Sequence, residues 1–308
     1  MQISRRTINH YSMSPVIFHY HIFKNAGTSF NHSLQEAFGP DFLEYDPPTG
    51  CEVLSSEEVT DFILRHHQVK AVSSHQACFP IPQPAGRMVH TTLLLRDPIA
   101  RVRSIYLWER NKNIDTPGAV KAKELDFKEY VHWRLKTTPT MLCNYQVHYC
   151  SRTRENAHEN LPGEAEFKLA CANLDRVSAV GTVESYQAWL SLVKAVVQTS
   201  FPDLNLMVAR KNVSEKKVSS DKLNIMSRLV EDLGHDLVAQ LLASNQLDMR
   251  LHQVAEAILH RKLAEWNIDS TLQTTYEQAL RPAVLPEEKK TVKYFSFLPF
   301  LKFRKKER

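Results

Sequence analysis

His21-Ile22-Phe23-Lys24-Asn25-Ala26-Gly27-Thr28-Ser29-Phe30 reads as the end of a buried strand, a short polar loop and the opening of a helix. The apolar run Val16, Ile17, Phe18, Tyr20, Ile22 and Phe23 predicts the strand, and the amphipathic segment from Thr28 to Phe38 predicts the helix. Such a joint aims unpaired backbone N–H groups and the positive end of a helix dipole at one point. Gly27 lets the backbone approach a ligand closely, Thr28 and Ser29 add hydroxyls, and Lys24 adds a mobile positive charge. These features suit a phosphate, so Lys24, Asn25, Ala26, Gly27, Thr28 and Ser29 are candidate binding residues. A plain strand–turn–helix joint with an exposed lysine would use the same residues.

A second segment has the same character. Thr92 to Leu95 form a short apolar strand, Asp97 is a natural N-cap, and Pro98 stands where a helix tolerates a missing N–H. Arg96 falls at the strand end, and Arg101 and Ser104 lie three apart on one helix face. An arginine fork and a hydroxyl converging on one point suit a phosphate dianion. Between the two segments, Val69, Ala71 and Val72 predict another strand, ending at Ser73, Ser74 and His75.

The first loop is not a Walker A sequence, whose lysine follows a second glycine. Lys-x-x-Gly-Thr-Ser after an apolar strand resembles the 5′-phosphosulfate loop of sulfotransferases that use 3′-phosphoadenosine 5′-phosphosulfate (PAPS). The string His-Ile-x-Lys-x-Ala-Gly-Thr-Ser is similar to the branch containing heparan sulfate 2-O- and 6-O-sulfotransferases and bacterial carbohydrate sulfotransferases. Arg-Asp-Pro-x-x-Arg-x-x-Ser resembles that family's 3′-phosphate site, which implies that role for Arg96 and Ser104. The resemblance also implies that His75 is the base for the acceptor hydroxyl, although the family often has Gly-His where this chain has Ser74-His75. A neutral imidazole suits that role near neutral pH. A histidine merely hydrogen-bonded at a strand end is the plainer alternative. His19 and His21 alternate with core residues and read as structural.

The remainder matches the family thinly, through Asn144 and Gln146, Gly181 and Glu184, the segment 210–214 with Lys211 near the cofactor, and 245–252 with His252 in place of a tyrosine. Together these span roughly residues 16–265. Further elements expected from pattern are a capped helix from Ser55 to His67, a helix over 127–135, strands over 177–183 and 204–208, and a helix over 184–197. The loops 80–87 and 111–118 are the expected walls of an acceptor cleft.

Composition sets the bounds. The 308 residues, 43% hydrophobic, are ample for one α/β domain: a P-loop-like central parallel sheet flanked by helices, with a helical C-terminal portion. A net charge of +5 suits an anionic cofactor and is too weak to argue for nucleic acid. Cys51, Cys78, Cys143, Cys150 and Cys171 form neither a C-x-x-C pair nor a zinc spacing, which suggests reduced thiols, with a close approach of Cys143 and Cys150 left open. The first 14 residues lack an apolar signal region, whereas eukaryotic members of the family carry an N-terminal Golgi span. The expectation is a cytoplasmic, bacterial enzyme. The expected divisions are an N-terminal arm (1–15), the sulfotransferase domain (16–276) and an aromatic, basic tail (277–308). Residues 292–308 suit either a disordered tail or a strip packed on its own domain, which we favour, or a weak peripheral contact with an anionic membrane.

The expected function is transfer of a sulfuryl group from PAPS to a hydroxyl acceptor, a carbohydrate, without a metal. Lys24 and His75 would be catalytic, and residues 24–29, Arg96 and Ser104 would bind the nucleotide. The alternatives are a non-catalytic nucleotide-binding module on the same fold and a P-loop kinase, the latter lacking its Walker A lysine.

Overall fold

Alternation along the strands sets up the layers. Val16, Phe18 and Tyr20 of strand β1 (Val16–Tyr20) enter one apolar cluster, and Ile17 enters another across the sheet. The same period of two sorts Leu93 and Leu95 from Leu94 on the strand Val89–Leu95. The computed structural model describes residues 13–48, 52–157, 161–206 and 222–268. All of them belong to one unit, Met1–Ser270.

Strands β1, β2 (Phe42–Glu44), β3 (Ala71–Ser74), β4 (Val89–Leu95) and β5 (Ala179–Thr182) form a sheet in the order β2-β3-β1-β4-β5. Every pairing is parallel, so the fold is α/β with a parallel sheet, as the sequence predicts. The first half carries helices α1 (Gly27–Phe38), α2 (Ser56–Arg65), α3 (Pro98–Asn111), α4 (Pro117–Glu124) and α5 (Phe127–Thr137). After them come α6 (Tyr145–Ser151), α7 (Glu164–Arg176), α8 (Tyr186–Val197), α9 (Lys222–Leu233), α10 (His235–Ser244) and α11 (Gln246–Glu265). Phe30 and Leu34 of α1 pack with Trp189 of α8 under one face, while Val147 of α6 and Leu251 of α11 pack under the other.

The predicted caps are present. Ser55 and Glu58 form a reciprocal capping box on α2, and the Asp97 carboxylate accepts from Ile99 N and Ala100 N on α3. The first strand is shorter than its apolar run, because Ile22 N–H turns back onto Tyr20 O at 3.1 Å and leaves the ladder. Leu204 to Leu206 are irregular rather than strand, and 207–208 lie outside the described residues. Lys211 and the 210–214 segment, most of the N-terminal arm and the whole 277–308 tail also lie outside them. Among the described residues, no helix is long and apolar enough to cross a membrane. The four described cysteines, Cys78, Cys143, Cys150 and Cys171, are free.

Candidate active site

From β1 the chain departs toward β2 on one side, and from β4 it departs toward β5 on the other. Parallel sheets leave a crevice at the carboxyl ends of such diverging strands. The loops after β1, β3 and β4 meet there, bringing together Lys24 to Ser29, His75 and Arg96 from distant parts of the sequence.

The β1–α1 loop is bent sharply. Lys24 and Ala26 both adopt left-handed backbone, with φ of 67° and 60°. Each conformation costs about 1–2 kcal/mol for an L-residue and persists only where the surroundings enforce it. Three groups do so. Arg101 Nε donates to Phe23 O at 3.1 Å, and Arg96 Nη1 donates to Lys24 O at 3.0 Å. Asn25 Nδ2 bonds Leu94 O at 3.0 Å and Gln146 Oε1 at 2.8 Å. The N–H groups of Asn25 and Ser29 are taken by Ile22 O and Ala26 O. Those of Ala26, Gly27 and Thr28 have no backbone acceptor among the described residues, an arrangement that suits an anion.

Three expectations change here. The Asn25 N–H, expected at the phosphate, is taken by Ile22 O, and its side chain, 2% exposed, braces the loop from within. Gly27 is required first by a neighbour: a Cβ there would fall 2.1 Å from the His21 ring. Arg101 does not form a fork with Ser104. Its guanidinium is buried, bonds Phe23 O and Met141 O, and lies 3.8 Å over the Tyr145 ring, while Ser104 sits half-buried one turn along α3.

The β4 side of the loop is strongly cationic. Lys24 is lowered to about 8, first by burial and then by Arg96, Lys112 and Arg101. Burial also lowers Arg96, and lowers Arg101 to about 10. Lys24 and Lys112 both lie over the Trp108 ring, each ammonium 5.7 Å from its centroid. Arg96 Nε and Arg101 Nη2 are buried with no hydrogen-bond partner. Buried donors of that kind carry an unmet cost that an anion would relieve.

Gln146 ties these parts together. It is fully buried, accepts from Asn25 and from Arg96 N, and donates to Arg96 O at 2.8 Å. Its own N–H and that of Val147 are held by the Asp248 carboxylate at 3.0 and 2.8 Å. Burial raises the Asp248 carboxyl despite these amide contacts and the nearby Arg101. Glu184 accepts from Asp97 N at 3.1 Å and from His252 at 2.9 Å, linking the start of α3 to α11. Asn144 also belongs to this frame, with its Oδ1 accepting from Asp248 N. Of the thinly matched positions, Asn144, Gln146, Glu184 and His252 thus belong to the frame around the loop and the start of α3.

On the β3 side stands His75. Asp46 Oδ1 accepts its N–H at 2.7 Å and Asp46 Oδ2 meets its Nδ1 at 2.9 Å. Burial alone would raise the Asp46 carboxyl, but hydrogen bonds and charge from His75 and a hydroxyl contact from Ser74 hold it below its ordinary value. An ionised Asp46 assigns the proton to His75 Nδ1 and leaves Nε2 as an acceptor. Arg152 Nη2 fixes His75 O at 2.7 Å, and the His21 ring stacks on His75 with centroids 3.9 Å apart. His21 is lowered to about 2, first by burial and then by His75, His19 and Lys24. It stays neutral and internal, as expected of a structural residue. His19 is buried against Thr92 and Phe30.

Asp46, Arg152 and Trp108 were not legible as site residues. Of the two loops expected to wall the acceptor cleft, only the start of the second reaches the site, with Lys112 over the Trp108 ring. The 80–87 loop packs on α2, where Ile81 O accepts from Ser56 at 3.3 Å and Arg87 bonds Ile63 O at 2.8 Å. The 111–118 segment runs into α4, where Gly118 fits tightly against the Glu109–Arg134 pair. Among the described residues, no group of three or more His, Cys, Asp or Glu could hold a metal ion.

No family model matches the chain. A protein of Archaeoglobus fulgidus described only as uncharacterized is 29% identical over 245 residues, covering 77% of this chain and 94% of its own. The shared region is thus nearly the whole of that protein.

Proposed function

We propose that the chain transfers a sulfuryl group from PAPS to a carbohydrate hydroxyl. The observation that carries this reading is the pairing of two unlike halves across β1. One is a braced loop with N–H groups that lack backbone acceptors, beside buried, unmatched cations, and the other is an Asp-supported imidazole. Phosphate binding alone would explain the first half but not the second.

In this reading the acceptor oxygen attacks sulfur, and its proton passes to Nε2 of His75. The sulfur–oxygen bond to the 5′-phosphate breaks, and the bond pair leaves with 3′-phosphoadenosine 5′-phosphate (PAP). Negative charge grows on the bridging oxygen, where the Lys24 ammonium is most effective because the site is already desolvated. The N–H groups of Ala26 to Thr28 and the Thr28 and Ser29 hydroxyls hold the 5′-phosphate. Arg96, with a free Nε, and Ser104 receive the 3′-phosphate. No step requires a metal.

Calorimetric titration with PAP and with ATP–Mg²⁺, paired with a turnover assay using labelled PAPS, tests the proposal. Binding of PAP with sulfuryl transfer is expected. Preference for ATP–Mg²⁺ would indicate a kinase, and PAP binding without turnover a non-catalytic module.

A further inference from the structure

The two sides of β1 differ in charge. Between α1 and the end of β2 lies a cleft of about 530 Å³, within the range of roughly 300–1,000 Å³ usual for small-molecule sites. Thr28 and Ser29 form one wall, so the cleft shares residues with the braced loop. Phe42 and Glu44 form the opposite wall, with Asn31 and Glu36 between. Among the described residues no lysine or arginine lines it. Its one basic ring, His32, faces Glu36 at 3.3 Å.

Neither His75 nor Asp46 lines this cleft, but a chain of contacts joins it to the base. Asn31 Nδ2 donates to Glu44 Oε1 at 2.8 Å and meets His21 Nδ1 at 3.3 Å, and His21 stacks on His75. Glu44 pairs with Ser73 at the carboxyl end of the sheet, two residues before Asp46. Asn31 is 5% exposed, and its Oδ1 has no hydrogen-bond partner. Carboxylates and an under-used amide lining one cleft are acceptors for hydroxyl or amine donors and repel anions.

We infer that this cleft receives the acceptor, and that the acceptor is a sugar carrying no negative charge beside its reacting hydroxyl. The inference rests on the sulfuryl-transfer reading. A polyanionic acceptor would bring its charges against Glu36 and Glu44, whereas neutral hydroxyls would find acceptors there. The cations needed for the donor are all on the other side of β1, at Lys24, Arg96, Arg101 and Lys112.

The test compares labelled transfer from PAPS to glucose, glucosamine and glucuronate-containing oligomers of one length. It uses the wild-type chain, Glu44→Gln and Glu44→Lys, with PAP affinity measured on each preparation. Expected is transfer to the neutral or amine-bearing oligomers at least about tenfold above the uronate, a ratio reduced by Glu44→Gln and further by Glu44→Lys, with unchanged PAP affinity. Transfer favouring the uronate, transfer to none of the three, or a ratio unmoved by both variants overturns the acceptor assignment. Loss of PAP binding in the wild type would instead remove the donor reading beneath it.

Discussion

The Asp46 carboxylate holds His75 at two points, the backbone N–H at 2.7 Å and the ring Nδ1 at 2.9 Å. One residue thus sets both the place and the tautomer of the imidazole. Asp46→Asn keeps the shape but removes the charge that favours the Nδ1–H form and the imidazolium created by proton transfer. Turnover should fall about 10- to 100-fold, and His75→Ala should fall by roughly 10²–10⁴. PAP affinity, measured by calorimetry, should be unchanged in both. A parallel loss of affinity would make the pair part of the binding scaffold instead.

Lys24→Ala should fold normally and lose at least ~100-fold in turnover, the scale of one preorganised charge at a leaving group. The pH dependence follows from its lowered value. The ammonium exists below about 8, so kcat/KM should decline as pH rises through that region. A bound anion raises the lysine pKa, and the corresponding limb of kcat should therefore lie at higher pH. A rate–pH profile flat from pH 7 to 9.5 would remove Lys24 from the leaving-group position.

Gly27→Ala places a methyl 2.1 Å from the His21 ring, at the base of the braced loop. Overpacking of this kind costs about 1–3 kcal/mol and should also weaken PAP binding by shifting the Ala26 to Thr28 amides. The double variant Gly27→Ala/His21→Ala should recover part of the lost stability in thermal unfolding. Additive losses would show that the His21 contact is not the constraint.

Gln146→Ala removes partners from Asn25 Nδ2 and from both backbone groups of Arg96. Leaving buried polar groups unmatched costs about 1–3 kcal/mol each before relaxation. Chemical denaturation should therefore register a loss of at least ~2 kcal/mol, together with weaker PAP binding. A stable variant with normal affinity would mean that the loop holds its shape without this hub.

Much of this was legible because it is local. The β1–loop–α1 joint and the Asp97 cap depend on neighbours a few residues apart, which periodicity and capping rules describe. Asp46 reaches His75 across 29 residues from the end of a three-residue strand too short to announce itself. The spacing of Arg101 and Ser104 put them on one face of α3, but could not tell whether that face meets a ligand or the carbonyls of Phe23 and Met141. Likewise, proximity in sequence to His75 suggested the 80–87 loop as a wall, whereas the carbonyls that bind Arg87 lead it back along α2. The sequence marks Gln146 as a residue of interest, but its position at the crossing of α6, α11 and the loop is tertiary information.

On the proposed reading, the cationic half recognises a 3′-phosphorylated nucleotide. Calorimetric affinities of PAP and of 5′-AMP, which lacks the 3′-phosphate, should be measured for the wild-type chain and Arg96→Ala. The account predicts that the wild type prefers PAP, and that Arg96→Ala weakens PAP by roughly 2–3 kcal/mol while changing 5′-AMP little. Equal affinity of the wild type for both nucleotides, or equal losses for both in Arg96→Ala, would contradict it.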